Sequence, residues 1–191
     1  MRARSDTVFE EYNRRAELVG WPNRVDPTLS FEAAELREAL AVWRSAAGAR
    51  ALPLRSDMTP KLMKRFLPQV AVMDVVRDKN RTRFRIRVTG TALERTFGGL
   101  TGSFVDETLP EPFRSRWEAT LNVPLLARCA VRASGRMEFR DQTYLKIETF
   151  FGPMGADIAA PDSILVVVHT EPHTAKTKPV FLSPTVEIAP G

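Results

Sequence analysis

Histidine and cysteine are almost missing from this chain: two histidines and one cysteine stand among 191 residues. A lone cysteine, Cys129, excludes an intramolecular disulfide and suits a reducing compartment, so the cytoplasm is the expected location. His169 and His173 lie near one another but far from Cys129, so the cluster a zinc ion requires is lacking. A hydrolytic triad needs a nucleophile, a base and an orienting group, and no GxSxG stretch presents a serine for one. Gly98, Gly99 and Gly102 come without the lysine and long helix of a phosphate-binding loop. Long apolar runs are absent too. The longest purely aliphatic run, Ile164 to Val168, is far too short to cross a bilayer, and the first residues hold no secretory core. No catalytic residue, metal or cofactor is therefore expected.

Charge is present but dispersed. Lys and Arg number 28 against 23 Asp and Glu, a formal net charge of +5. The arginines run from Arg2 to Arg140 with acids interleaved and form no basic arm, which predicts a solvated basic surface. Nucleic-acid binding ranks as a third choice, checked by salt-sensitive affinity. With 43% hydrophobic and 27% charged residues, the composition is that of an ordinary globular protein.

Organisation centres on Arg81 to Gly102, RTRFRIRVTGTALERTFGGLTG. Phe84, Ile86 and Val88 alternate with Arg83, Arg85 and Arg87, the pattern of a strand with one apolar and one basic face. Gly90 breaks it, Thr91 is placed to cap a helix over Ala92 to Phe97, and Gly98 and Gly99 end that helix.

Upstream, an amphipathic helix is expected over Ser5 to Val19, with Thr7 and Glu10 at capping-box spacing. A linker follows from Trp21 to Pro27. A second helix is expected from Ser30 to Gly48, its stripe Leu36, Leu40, Trp43 and Ala47 needing a surface to bury against. Thr59 and Pro60 open a short helix, Lys61 to Leu67, stopped at Pro68. Gln69 to Val76 is a nearly continuous apolar run broken by Asp74, as in a strand covered on both faces, and it pairs with the next strand as a hairpin.

Downstream, Ser103 to Leu109 reads as a loop carrying Phe104 and Asp106. A helix starting at Pro112 carries Phe113, Trp117 and Leu121 on one face, and Pro124 ends or kinks it. Strands follow at Cys129–Phe139, Thr143–Phe151 and Ser163–Thr170. Gly135 marks a bulge or a tight hairpin. Beyond Pro172 the chain is proline-rich, with Val180, Phe181 and Leu182 its one candidate docking patch. Strands grouped around a helical insert predict an α+β fold with an antiparallel sheet.

Four stretches, VWRSAAGARALPLRSDMTP, FLPQVAVMDV, FRIRVTGTALERTFGGLTG and ILVVVHTEP, resemble PAS sensor domains, in particular the short proteobacterial proteins of the PAS_5 family. The resemblance spans about Leu36 to Pro172. It implies a five-stranded antiparallel sheet with short helices crossing one face over a small cavity, and sensing or protein interaction rather than catalysis. Arg55, Asp57 and Pro60 match the motif before the sheet; Asp74, Arg85, Gly90, Thr91, Gly102 and Asp106 match the central one. These positions look like scaffold, with Arg55 expected to pair with Asp57 or Asp106. No flavin-type NCRFL stretch surrounds Cys129, so a small buried hydrophobe is its better reading. Residues 1–50 then form an N-terminal helical extension, 51–172 the sensor domain and 173–191 a tail.

A cavity of this kind is lined by the apolar strand face and the overlying helices. The candidates are Met73, Phe84, Ile86 and Val88 from the hairpin; Leu93, Phe97, Phe104, Trp117 and Leu121 from the helical insert; and Val131, Ile147, Val166 and Val168 from the later strands. Thr91, Arg95, Tyr144 and His169 are the polar residues available to orient a ligand. His169 alternates out of phase with Val166 and Val168, so it belongs on the opposite face. Composition alone does not separate a ligand pocket from simple core. The leading expectation is a stand-alone bacterial signalling module taking a small apolar or amphipathic molecule, with a protein partner or a homodimer formed through the N-terminal helices. The alternative is a ligand-free adaptor whose outer sheet face, Leu165, Val167 and His169, is covered by the N-terminal helix or by a second subunit.

Overall fold

A computed structural model of the chain describes residues 2–79, 81–139 and 142–172. Expectations for His173 and for the patch at Val180 to Leu182 fall outside the described residues. The elements run α1 (Arg2–Leu18), β1 (Asn23–Asp26), α2 (Ala34–Ala47), β2 (Val70–Arg77), β3 (Thr82–Thr89), α3 (Thr91–Phe97), α4 (Val105–Thr108), α5 (Phe113–Ala127), β4 (Val131–Phe139), β5 (Gln142–Met154) and β6 (Ser163–Pro172). Every strand pairing is antiparallel, in the order β1-β4-β5-β6-β2-β3. The α+β expectation holds, but the sheet has six strands rather than five.

The extra strand is β1, cut from the segment expected to be a linker. NRVD is too short and polar to announce itself, and the structure shows what recruits it. Asn13 of α1 accepts a hydrogen bond from Val25 N at 2.9 Å and donates one to Val25 O at 2.8 Å, standing in for a neighbouring strand. Across the ladder, Asn23 sits opposite Gly135, where a Cβ would come within 2.3 Å of Pro22 O. Gly135 is therefore neither a bulge nor a hairpin. Its ladder with β5 is unbroken there, and its missing side chain admits the backbone of β1.

Both faces of the sheet are covered, and the side chains of β6 alternate between the two cores. Ile164, Val166 and Val168 join the inner core under α1, α3, α4 and α5, while Leu165 and Val167 join the outer core under α2. The stripe Leu36, Leu40, Trp43 and Ala47 is buried as expected. Gly48, at φ 57°, ends α2. Trp43 stacks edge-on against Phe150 at 6.2 Å and donates its indole N–H to Pro153 O at 3.1 Å. Outer cover thus comes from the second helix of the same chain.

Several boundaries differ from expectation. Helix α1 begins at Arg2, so Thr7 and Glu10 lie inside it, and α2 begins at Ala34 rather than Ser30. Residues 61–66 form turns followed by a single 3-10 turn at Leu67–Gln69. Val105–Thr108 is a helical turn, not loop, and α5 continues past Pro124 to Ala127. Thr91 is the first helical residue of α3 and caps nothing with its side chain; Gly90 holds the cap position. Gly90 also donates to Val70 O at 2.7 Å, so close to Leu67 O that a Cβ there would stand 2.3 Å from it.

Candidate functional site

Between the inner sheet face and α3–α5 lies an apolar chamber of about 60 Å³. Strands β2, β3 and β6 supply its floor through Met73, Ile86, Val166 and Val168, and the helical insert supplies its roof through Leu93, Phe97 and Trp117. These seven were all expected. Ala71, Thr89, Leu100, Val105 and Leu109 complete the wall and were missed. Ala71 is two positions from Met73 on the same strand face, and Val105 and Leu109 have helical i,i+4 spacing, so both signals were available. Thr89 was not accessible to the same reasoning, because a shift of register intervenes.

That shift is a β-bulge. Val72 pairs with Val88 and Met73 with Ile86, so Arg87 is the extra residue. Before the bulge, Phe84 and Ile86 face inward, 1% and 3% exposed. After it the alternation inverts, leaving Val88 44% exposed and outside the chamber, and turning Thr89 inward. The assignment of Val88 to the cavity is corrected on this ground.

Other candidates are distributed differently. Phe84, Leu121 and Val131 are packed core. Thr91 and Arg95 are exposed on the outer side of α3 and line no described cavity. Phe104 lies beneath Arg83, whose guanidinium carbon is 3.8 Å from the ring centroid. His169 faces the outer side as expected, 3.6 Å from Glu35 and 3.1 Å from Glu171. The side chain of Tyr144 lies outside the described residues.

Trp117 also borders a second chamber, of about 40 Å³, on the β1 side. Ile147 is there, together with the polar groups Asn23, Arg116, Thr120 and Arg136. The Tyr12 hydroxyl shares a hydrogen bond of 2.7 Å with Thr120 and accepts one of 2.6 Å from Asn23. Burial pushes the Tyr12 phenol above its ordinary value despite these bonds. Asn23 Oδ1 is buried and accepts no hydrogen bond from the described residues. One indole thus stands between an apolar compartment and a polar one.

Ion pairs fix the frame. Arg83 holds Asp106 with two bonds of 2.8 and 2.9 Å, and these hold the Asp106 carboxyl below the usual range. Asp57 pairs with Arg50 and accepts from Leu54 N. Arg55 approaches Asp74 at 3.6 Å, correcting the expectation that Asp57 or Asp106 would be its partner. Cys129 is half-buried rather than fully buried as expected, and desolvation raises its thiol pKa, which weakens it as a nucleophile. Among the described residues no group of His, Cys, Asp and Glu is placed to hold a metal ion, and no helix is long and apolar enough to cross a membrane.

The family model for the PAS domain, PAS_5, matches residues 31–169, well over half of the chain. The chain belongs to the PAS domain family. The match begins after β1, so the sixth strand is an addition at the edge of a PAS sheet, and α1 with β1 precedes the matched span. No curated protein and no solved structure matches the chain.

Proposed function

We propose that this PAS domain is a sensing module. It takes a small apolar molecule into the chamber between β2, β3, β6 and α3–α5, and signals through the helices on either side of the sheet. One observation supports this above others: the chamber, open to solvent on one side, is lined almost wholly by apolar side chains, with Thr89 and the Trp117 indole as its polar groups. A volume of about 60 Å³ exceeds the roughly 10–15 Å³ a water needs but falls below the ~150 Å³ of a benzene-sized cavity. Occupation by anything larger requires lining side chains to give way, and Trp117, which borders both chambers, is the one placed to join them. Such a ligand shifts the protein only by its differential affinity for the two arrangements. The reading carries no catalytic step.

Methyl-labelled methionine is the natural readout, because Met73 lines the chamber. Benzene and indole should move the Met73 methyl resonance saturably, and Leu93→Trp, which fills the chamber, should abolish the response. Mass spectrometry of molecules extracted from the purified protein identifies what it carries from the cell. No Met73 response to either compound, with nothing co-purifying, would sink this reading.

The small volume favours a second reading, a ligand-free interaction module. Leu18, 83% exposed at the end of α1, and the adjacent exposed Val19 would be its contact. Sedimentation should then show a self-association that Leu18→Glu removes.

A further inference from the structure

A wider opening is on the other side of the sheet. A groove of about 710 Å³ lies between residues 55–67 and the β2–β3 pair, within the ~300–1,000 Å³ range of small-molecule sites. Its floor is apolar, built from Met58, Met63, Val72 and Met154. The bulge in β3 gives it one wall, since the inversion of alternation turns Arg87 and Val88 to this face together.

The charged end of the groove is unevenly balanced. Asp74, with only 13% of its side chain exposed, accepts bonds of 2.9 Å from Arg85 and 2.9 Å from Arg87. Arg55 stands 3.6 Å from the same carboxylate, in ion-pair range but beyond a hydrogen bond. Each guanidinium offers five donors, whereas one carboxylate accepts roughly four. Asp162 is the other acid lining the groove, and it already accepts from the Ser163 hydroxyl at 2.8 Å. Asp74 thus draws three arginines, of which Arg55 and Arg87 line the groove while Arg85 stands just outside it, and against Asp74 and Asp162 this cluster carries one positive charge in excess. Arg55 and Arg87 reach this point from separate elements, and both keep nearly half of their side chains exposed.

We propose that this groove binds a small amphipathic monocarboxylate. Its head sits on Arg55 and Arg87, and its apolar body lies along Met58 and Met63. A single negative charge neutralises the excess, and the planar guanidinium fork matches a carboxylate in shape. The site lies across the sheet from the chamber and does not depend on that chamber being filled.

The test is a titration of the full chain with octanoate, followed through the methionine methyl resonances. Met58 and Met63 should shift saturably while Met73 stays in place, and octanol, which lacks the charge, should bind at least about tenfold more weakly. Arg55→Ala and Arg87→Ala should each weaken octanoate about tenfold, an unshifted Met73 signal showing that the fold is kept. Raised salt should weaken binding as well. Absence of a saturable shift, equal binding of octanol, or Met73 moving in step with Met58 would each overturn the proposal, the last by placing the compound in the chamber instead.

Discussion

Replacing Glu148 with alanine should detach α2 from the sheet, and the structure allows the cost to be worked out. Glu148 stands in β5 with 5% of its side chain exposed. Its carboxylate accepts from Glu32 N at 3.0 Å and Ala33 N at 2.9 Å, the amides immediately before α2, and from Arg132 Nε at 2.6 Å. Removing it leaves two backbone donors without their acceptor, at about 1–3 kcal/mol each if water does not replace it. It also leaves Arg132 with a reduced counter-charge, and breaking such a pair from one side typically costs about 3–5 kcal/mol. These losses overlap. Arg132 keeps Asp26 at 2.8 Å, so the total should fall at about 3–5 kcal/mol. For a chain of this length each kcal/mol lowers Tm by roughly 2–4 °C, giving a drop of about 6–20 °C. Urea denaturation measures the free energy, and amide exchange at residues 32 and 33 should accelerate ahead of the strands. Glu32→Ala is the control: Glu32 is an exposed partner of Lys146, so its loss should move stability far less than that of the buried Glu148. If Glu148→Ala costs under about 1 kcal/mol, or no more than the control, the latch described here is wrong.

Gly90→Ala should destabilise by at least about 2 kcal/mol, because its Cβ meets the backbone oxygens of Leu67 and Pro68 at 2.3 and 2.5 Å. Gly99→Ala, with open space around the new methyl, should lie within about 0.5 kcal/mol of the parent by the same denaturation assay. Val88→Arg should be nearly neutral, whereas Ile86→Ala should cost about 2–5 kcal/mol, a contrast that tests the bulge directly. In Asp74, burial would raise the carboxyl pKa, but the bonds from Arg85 and Arg87 outweigh it and the value is lowered. The folded state therefore binds fewer protons than the unfolded one near pH 4. The stabilisation is present above the unfolded value of about 3.9 and disappears as pH falls through the lower folded value. Asp74→Asn should flatten stability against pH below pH 4, and an unchanged slope would show that the pairing contributes nothing.

Sequence reasoning succeeded where side-chain periodicity alone decides the answer. Phe84 and Ile86 alternate with arginines, and the stripe of α2 repeats at helical spacing; both are buried where expected. It failed where backbone geometry or a distant partner decides. β1 is a strand because of Asn13 and Gly135, neither of them near NRVD in sequence. Arg87 carries no mark of being the extra residue in a ladder, and one such residue moved Val88 out of the chamber and Thr89 in. Arg55 was expected to pair within its own neighbourhood or with Asp106. Its actual neighbour, Asp74, is reached only once residues 55–67 fold back over β2. The chamber was therefore largely legible from the sequence. The groove was not, because it exists only through this folding back and the bulge.

The three tryptophans mark three different contacts, two in the inner core and one in the outer. Trp21 lies against Tyr12 below α1, Trp43 against Phe150 in the outer core, and Trp117 against Phe151 at the partition between the chambers. Their emission is consequently a built-in set of three lamps. With two of them changed to phenylalanine, the remaining one reports the state of the first helix, the outer latch or the chamber wall, with no dye attached.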